Sequence, residues 1–150
     1  MRYFEDLEIG AETLFGSYEV TLDEVLEFAV KYDPQPFHLS NEEAAKTHFG
    51  RIAASGWHTC AMTMAVIARH VVKGGQAGLG SPGIDELRWL KPVYPGDRLT
   101  VRGKVIESIP SRSKPTIGVI RSENTVTNQD DVPVMRFISI VMMLRRPEPA

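Results

Sequence analysis

The hydrophobic positions of this chain change period partway along it. From Thr21 to Val72 they recur at helical spacing, and beyond Gly83 they alternate with polar residues. Thr21-Leu22-Asp23-Glu24 has the form of a capping box, with Val20 and Val25 placed as its hydrophobic staple. Leu22, Val25, Leu26 and Ala29 then keep a helical stripe, and Glu27 with Lys31 forms a favourable i,i+4 pair. Pro34 disfavours helical geometry at Asp33, so this helix should stop near Tyr32. Ser40-Asn41-Glu42-Glu43 repeats the capping pattern and predicts a short second helix ending around His48-Phe49-Gly50. Ser55 is placed to cap a third helix, which Gly74-Gly75 closes. From Trp57 to Val72 the apolar residues are too many for one stripe, which predicts a central helix buried on most sides. Something must wrap around it.

The second half supplies the wrapping. Ile84 to Leu90 reads as a partly exposed strand, and Tyr94-Pro95-Gly96-Asp97 as a turn. Leu99, Val101, Gly103 and Val105 alternate with Thr100, Arg102 and Lys104, the signature of a half-buried strand. Ile117 to Thr127 and Val134 to Leu144 predict two more strands, and Glu12 to Val20 one further strand at the sheet edge. The layout is α+β, with an antiparallel sheet curved around one long helix.

Composition narrows the class. A chain of 150 residues, 43% hydrophobic and 24% charged, fits one globular domain over residues 1–150. Seventeen basic against nineteen acidic side chains, a net charge of −2, argues against a nucleic-acid partner. A lone cysteine, Cys60, excludes an intrachain disulfide and any Cys-based zinc cluster, and its apolar setting makes it a core residue. The start carries no apolar leader and no stretch has the ~20 apolar residues of a membrane span, so a cytoplasmic protein without a membrane partner is expected.

The segment Leu90-Lys91-Pro92-Val93-Tyr94-Pro95-Gly96-Asp97-Arg98-Leu99 is similar to a strand-turn-strand element common across the hotdog superfamily, thioesterases included. Tyr32-Asp33-Pro34-Gln35-Pro36-Phe37-His38, followed by Ala54-Ser55-Gly56-Trp57, resembles the hydratase motif of MaoC-like dehydratases and (R)-specific enoyl-CoA hydratases. Two positions depart from the family pattern. Gln35 stands where many members have Asn, and Ala61 where some hydratases have Ser. The resemblance implies a hotdog fold and the reversible addition of water to an enoyl-CoA. It also implies Asp33 and His38 as the catalytic pair and a Gly56 N–H that polarises the thioester carbonyl. A homodimer is implied as well. Coenzyme A enters as part of an acyl-CoA thioester substrate, and no metal or redox cofactor is implied.

The residues suit that chemistry. Asp33 and His38 lie five apart in a loop stiffened by Pro34 and Pro36, so a carboxylate and an imidazole can face one substrate pre-oriented. Imidazole exchanges protons near pH 7. Gly56 at a helix start offers an N–H where a developing oxyanion is favoured, and its missing side chain leaves room for close approach of the thioester. Gln35 would orient Asp33, bind the thioester end, or serve only the loop. Ser55 is a helix cap or a substrate contact, and Phe37 and Trp57 are acyl-pocket walls or core. The basic turn Ser111-Arg112-Ser113-Lys114 is a solvated hairpin end or a coenzyme A phosphate contact. His58 and His70, twelve residues apart, would stand about 18 Å apart along one helix and cannot share an ion. A thioesterase and a non-catalytic acyl-CoA-binding protein are the competing readings.

Overall fold

The computed structural model describes residues 1–150. After a 3-10 turn at Phe4–Asp6 come β1 (Glu12–Glu19), α1 (Leu22–Tyr32), a second 3-10 turn (Pro36–His38), α2 (Asn41–Ala45) and α3 (Gly56–Gly74). The chain continues through β2 (Gly83–Trp89), β3 (Arg98–Pro110), β4 (Ile117–Thr127) and β5 (Pro133–Leu144). The strands form one sheet in the order β1-β3-β4-β5-β2, every neighbouring pair antiparallel. Hairpin connections set β3, β4 and β5 side by side. β1 and β2, separated in sequence by all three helices, take the two edges.

The core follows from the alternation in the strands. Leu99 and Val101 of β3, Val126 of β4, and Val134 and Met135 of β5 turn inward and meet Met62 and Val66 of α3. Val20 and Val25, the staple around the start of α1, are both buried in the same cluster. Thr21 accepts the Glu24 N–H at 3.3 Å, but the Glu24 carboxylate does not reach back to close the capping box. It accepts the Tyr18 hydroxyl instead, at 2.7 and 2.9 Å. Gly75 closes α3 in the left-handed conformation, φ 65°, that glycine adopts without penalty.

Two helical expectations need correction. α2 ends at Ala45 rather than near Gly50. Thr47 donates its hydroxyl to the Ala44 carbonyl and accepts the Phe49 N–H, and such side-chain bonds to backbone compete with helix continuation. α3 is not enclosed on most sides. His58, Thr59, Met62, Thr63 and Val66 are buried, whereas Trp57, Ala61, Met64 and Val72 form an uncovered stripe down the opposite flank. A five-stranded sheet has one concave face, and it covers one side of the helix. No helix is long and apolar enough to cross a membrane.

Leu99 has no exposed surface, at the centre of the contact between sheet and helix. Leu99→Ala is expected to lower the unfolding free energy by about 2–5 kcal/mol, the range for emptying a close-packed leucine site. Urea denaturation followed by far-UV circular dichroism measures it, and a loss near zero would mean that this part of the core collapses freely.

Candidate active site

Asp33 is the residue at which α1 stops. Its N–H still donates to the Ala29 carbonyl, at 3.0 Å, but its ψ of 68° has left the helix, as the following proline demands. Pro36 opens the 3-10 turn that brings His38 back, with the His38 N–H donating to the Gln35 carbonyl at 2.9 Å. The turn leaves Asp33 Oδ2 and His38 Nε2 3.3 Å apart.

Two donors and one ring converge on the Asp33 carboxylate. Ser55 Oγ donates to Oδ2 and Gln35 Nε2 to Oδ1, both at 2.7 Å. Burial raises the cost of the charge, but the two hydrogen bonds and the neighbouring imidazole outweigh it and hold the carboxyl below the usual aspartate value. Asp33 is therefore ionised near neutral pH.

His38 is buried, and its Nδ1 lies 2.7 Å from the Ala53 carbonyl oxygen. A carbonyl can only accept, so Nδ1 carries the proton. In the neutral ring Nε2 then presents a lone pair toward a carboxylate that also presents lone pairs. Two acceptors at 3.3 Å need a proton between them or a water that gives one hydrogen to each. That arrangement suits a group that takes up and returns a proton.

Gly56 opens α3, and its N–H, on the first turn, has no acceptor within the chain. The space over its Cα is taken by Trp89. A Cβ there would lie 2.5 Å from the indole Cε2, and Trp89 Nε1 donates to the Gly56 carbonyl at 2.9 Å. The missing side chain thus makes room for an indole rather than for a thioester, while the N–H stays open.

The remaining sequence candidates separate. Ser55 occupies the cap position, but its side chain does not cap α3; fully buried, it hydrogen-bonds Asp33. Gln35 orients Asp33. Phe37 sets its ring edge-on to His38, centroids 4.6 Å apart, and walls the pair. Trp57 faces Trp89 on the outer surface, centroids 5.2 Å apart and rings nearly perpendicular. Ala61 points into a cleft between α1 and α3, away from Asp33's hydrogen-bonding shell. Arg112 and Lys114 sit exposed in the β3–β4 connection. The histidines are dispersed: His48 packs on Phe49, His58 on Phe28 and His70 on Phe15. Two participants were not anticipated from sequence. The Ala53 carbonyl leaves no side-chain signal, and Trp89 lies 33 residues from the glycine that it covers.

The sheet order and the long helix packed against it define a hotdog-fold protein. Residues 6–129 match the MaoC like domain, and the chain belongs to that family. A 3-hydroxybutyryl-CoA dehydratase of Methylorubrum extorquens is 34% identical over 113 residues, 75% of this chain and 69% of that protein. The crystal structure of a MaoC-like dehydratase from Rhodospirillum rubrum superposes with a TM-score of 0.86 at 36% identity, covering 99% of this chain and 100% of that one. The unliganded (R)-hydratase PhaJ1 from Pseudomonas aeruginosa gives a TM-score of 0.73 at 28% identity, covering 99% and 91%.

The carboxylate's environment makes a titration prediction. Because its folded pKa lies below the unfolded value, ionised Asp33 stabilises the fold above the ordinary aspartate range. That contribution is lost as pH falls through the folded pKa. Ser55→Ala removes one of the two donors, so the Asp33 pKa should rise, and the carboxylate's contribution to stability should become smaller and be fully lost at a higher pH. Carboxyl carbon chemical shifts followed against pH report the pKa; an unmoved value would show that the hydroxyl does not hold the charge.

Proposed function

We propose that this protein is an enoyl-CoA hydratase, or in reverse a 3-hydroxyacyl-CoA dehydratase, with Asp33 and His38 as its acid–base pair. The observation that carries the reading is the fixed tautomer of His38, which turns an Nε2 lone pair toward an ionised carboxylate 3.3 Å away. A water held by both groups gives a proton to Nε2 as its oxygen bonds to the β-carbon of the enoyl thioester. The electron pair of the double bond moves toward the thioester oxygen, where the open Gly56 N–H stabilises the developing charge. The pair then gives a proton to the α-carbon and ends in its starting state. Water is consumed, one C–O and one C–H bond form, and no oxidant or reductant is needed.

The proposed reaction needs its water oriented as well as deprotonated. Asp33 sits in a shell of donors, below the usual aspartate value, and is thereby a weak base suited to orienting water beside a stronger one. The relatives named as dehydratase and hydratase support the same reading.

Asp33→Asn tests the pair. It keeps size and an acceptor for Ser55 but removes the charge, and enoyl-CoA hydration should fall by about 10²-fold or more. His38→Ala should lose at least as much and should also lower the melting temperature, since it empties a buried site and strands the Ala53 carbonyl. The double variant should lose little beyond the worse single, because groups acting as a unit are not additive. Retained hydration by folded Asp33→Asn, or free thiol release from wild type in place of loss of conjugation, would discard the reading.

We also propose that two copies pair. β2 leaves an open sheet edge on which Ile84 and Trp89 are exposed, beside the uncovered Trp57 and Met64 of α3. An unpaired apolar edge of this kind invites a second chain. Light scattering at micromolar concentration should give a dimer mass or a multiple of it, and a monomer mass would reject the pairing.

A further inference from the structure

The face of the sheet turned away from α3 carries a row of arginines that no carboxylate answers. Arg102 of β3 lies between buried Val101 and Gly103, and Arg136 of β5 between buried Met135 and Phe137, so both point outward. Thr125 of β4 lies likewise between buried Asn124 and Val126. In β2, Leu87 packs against the core, which turns Arg88 to the outer face.

The strand register aligns these four residues. Arg102 is opposite Thr125, Thr125 opposite Arg136, and Arg136 opposite Arg88. Neighbouring strands lie about 4.8 Å apart, so the row is about 14 Å long at the backbone, and the long side chains shorten the gaps. All three arginines are exposed, and none of them forms an ion pair. Like charges directly opposite each other destabilise a sheet, and Arg136 with Arg88 is such a pair. The net charge of the chain is −2, so a general excess of basic residues does not account for the row.

The neighbouring rows limit what the counter-charge can be. On one side stand Lys104, Glu123 and Asp85. Asp85 is held by Arg121 at 2.7 Å, and Lys104 is opposite Glu123 and 4.0 Å from Glu12. Those carboxylates repel a polyanion that would run on across the face. On the other side Thr100 and Thr127 are uncharged, and Thr127 accepts a hydrogen bond from Arg102 Nη1 at 3.4 Å. A strip one residue deep suits a small ligand rather than an extended chain of charges. Guanidinium groups present a planar fork of donors that matches phosphate, and the Thr125 hydroxyl lies between two of them.

We propose that the outer face of the sheet is a binding site for a ligand with two phosphate groups, one held by Arg88 and Arg136 and the other by Arg102 with Thr125. The ligand is a free nucleoside diphosphate or the nucleotide end of coenzyme A, which share this chemistry. The site does not rest on the hydratase reading. Pairing of two copies along the β2 edge extends the sheet and leaves this face open.

Calorimetry with the full chain tests the site. The probes are inorganic phosphate, inorganic pyrophosphate, adenosine diphosphate and coenzyme A. Pyrophosphate should bind once per chain, about tenfold or more tighter than phosphate, because its second group is held close to Arg102 once the first is bound. Added salt should weaken it, as exposed charges are screened. Arg136→Gln should lower pyrophosphate affinity about tenfold or more, and Arg88→Gln, at the sheet edge, should do the same. Arg112→Gln makes the same charge change in the exposed β3–β4 connection and should leave affinity unaltered. Without ligand, Arg136→Gln should melt no lower than wild type, since it relieves the charge facing Arg88. Failure of wild type to bind pyrophosphate, equal affinity for phosphate and pyrophosphate, or equal weakening by Arg112→Gln overturns the inference. Unchanged binding in both folded variants of the row does so too. Coenzyme A bound about as tightly as adenosine diphosphate supports the site with a free nucleotide as its ligand. Coenzyme A bound about tenfold tighter or more, with that gain lost in Arg136→Gln, supports the site with the coenzyme as its ligand.

Discussion

The Asp33 carboxylate joins pieces of chain that nothing else ties so directly. Its residue ends α1, its Oδ2 takes the hydroxyl of Ser55 at the threshold of α3, and its Oδ1 takes the amide of Gln35 in the intervening loop. His38, returned by the 3-10 turn, lies against the same Oδ2. Hydrogen bonds to an ionised acceptor are stronger than neutral ones, and a hydroxyl as buried as that of Ser55 requires a partner. The negative charge is therefore structural as well as chemical. It sets where the loop between residues 33 and 38 lies relative to the first turn of α3.

The sheet supplies the platform for that arrangement. Its concave face fixes α3 through Met62 and Val66, and this determines where the helix begins and which way its free amides point. β3, β4 and β5 do this by alternation alone. The polar cluster then gathers at the one end of α3 where unpaired N–H groups and a favourable dipole already exist. Polypeptide between β1 and β2 carries all of the proposed chemistry, and the meander after β2 carries most of the packing.

Much of this was legible in the sequence because it is local. The period-2 segments located β4 at its observed bounds and β5 to within one residue, and Pro34 located the end of α1. The resemblance to a hydratase motif pointed to Asp33 and His38 together, and two prolines in a short loop suit their closeness. What was illegible depends on contacts between distant residues. The apolar count of α3 says how much surface needs cover, not that a single sheet will cover one flank and leave Trp57 and Met64 bare. Ser55 has the type and place of a cap, and only the fold shows that its hydroxyl faces a carboxylate 22 residues earlier. Glu24 completes a capping box on paper, but Tyr18, on a strand, competes for it and wins. The burial of His58 has no sequence signature, since its neighbours on α3 are as apolar as those of an exposed position.

Trp89 is the last residue of the edge strand β2 and Gly56 the first of the central helix, and an indole locks the two by a hydrogen bond and by filling the glycine's empty side. Their separation in the chain is long, but mechanically they are one part. A strand at the rim of a sheet is ordinarily the element most free to shift. Here any tilt of that rim is transmitted to the peptide unit beside the open N–H, so the position of the proposed oxyanion donor is set at the periphery of the molecule as well as at its centre.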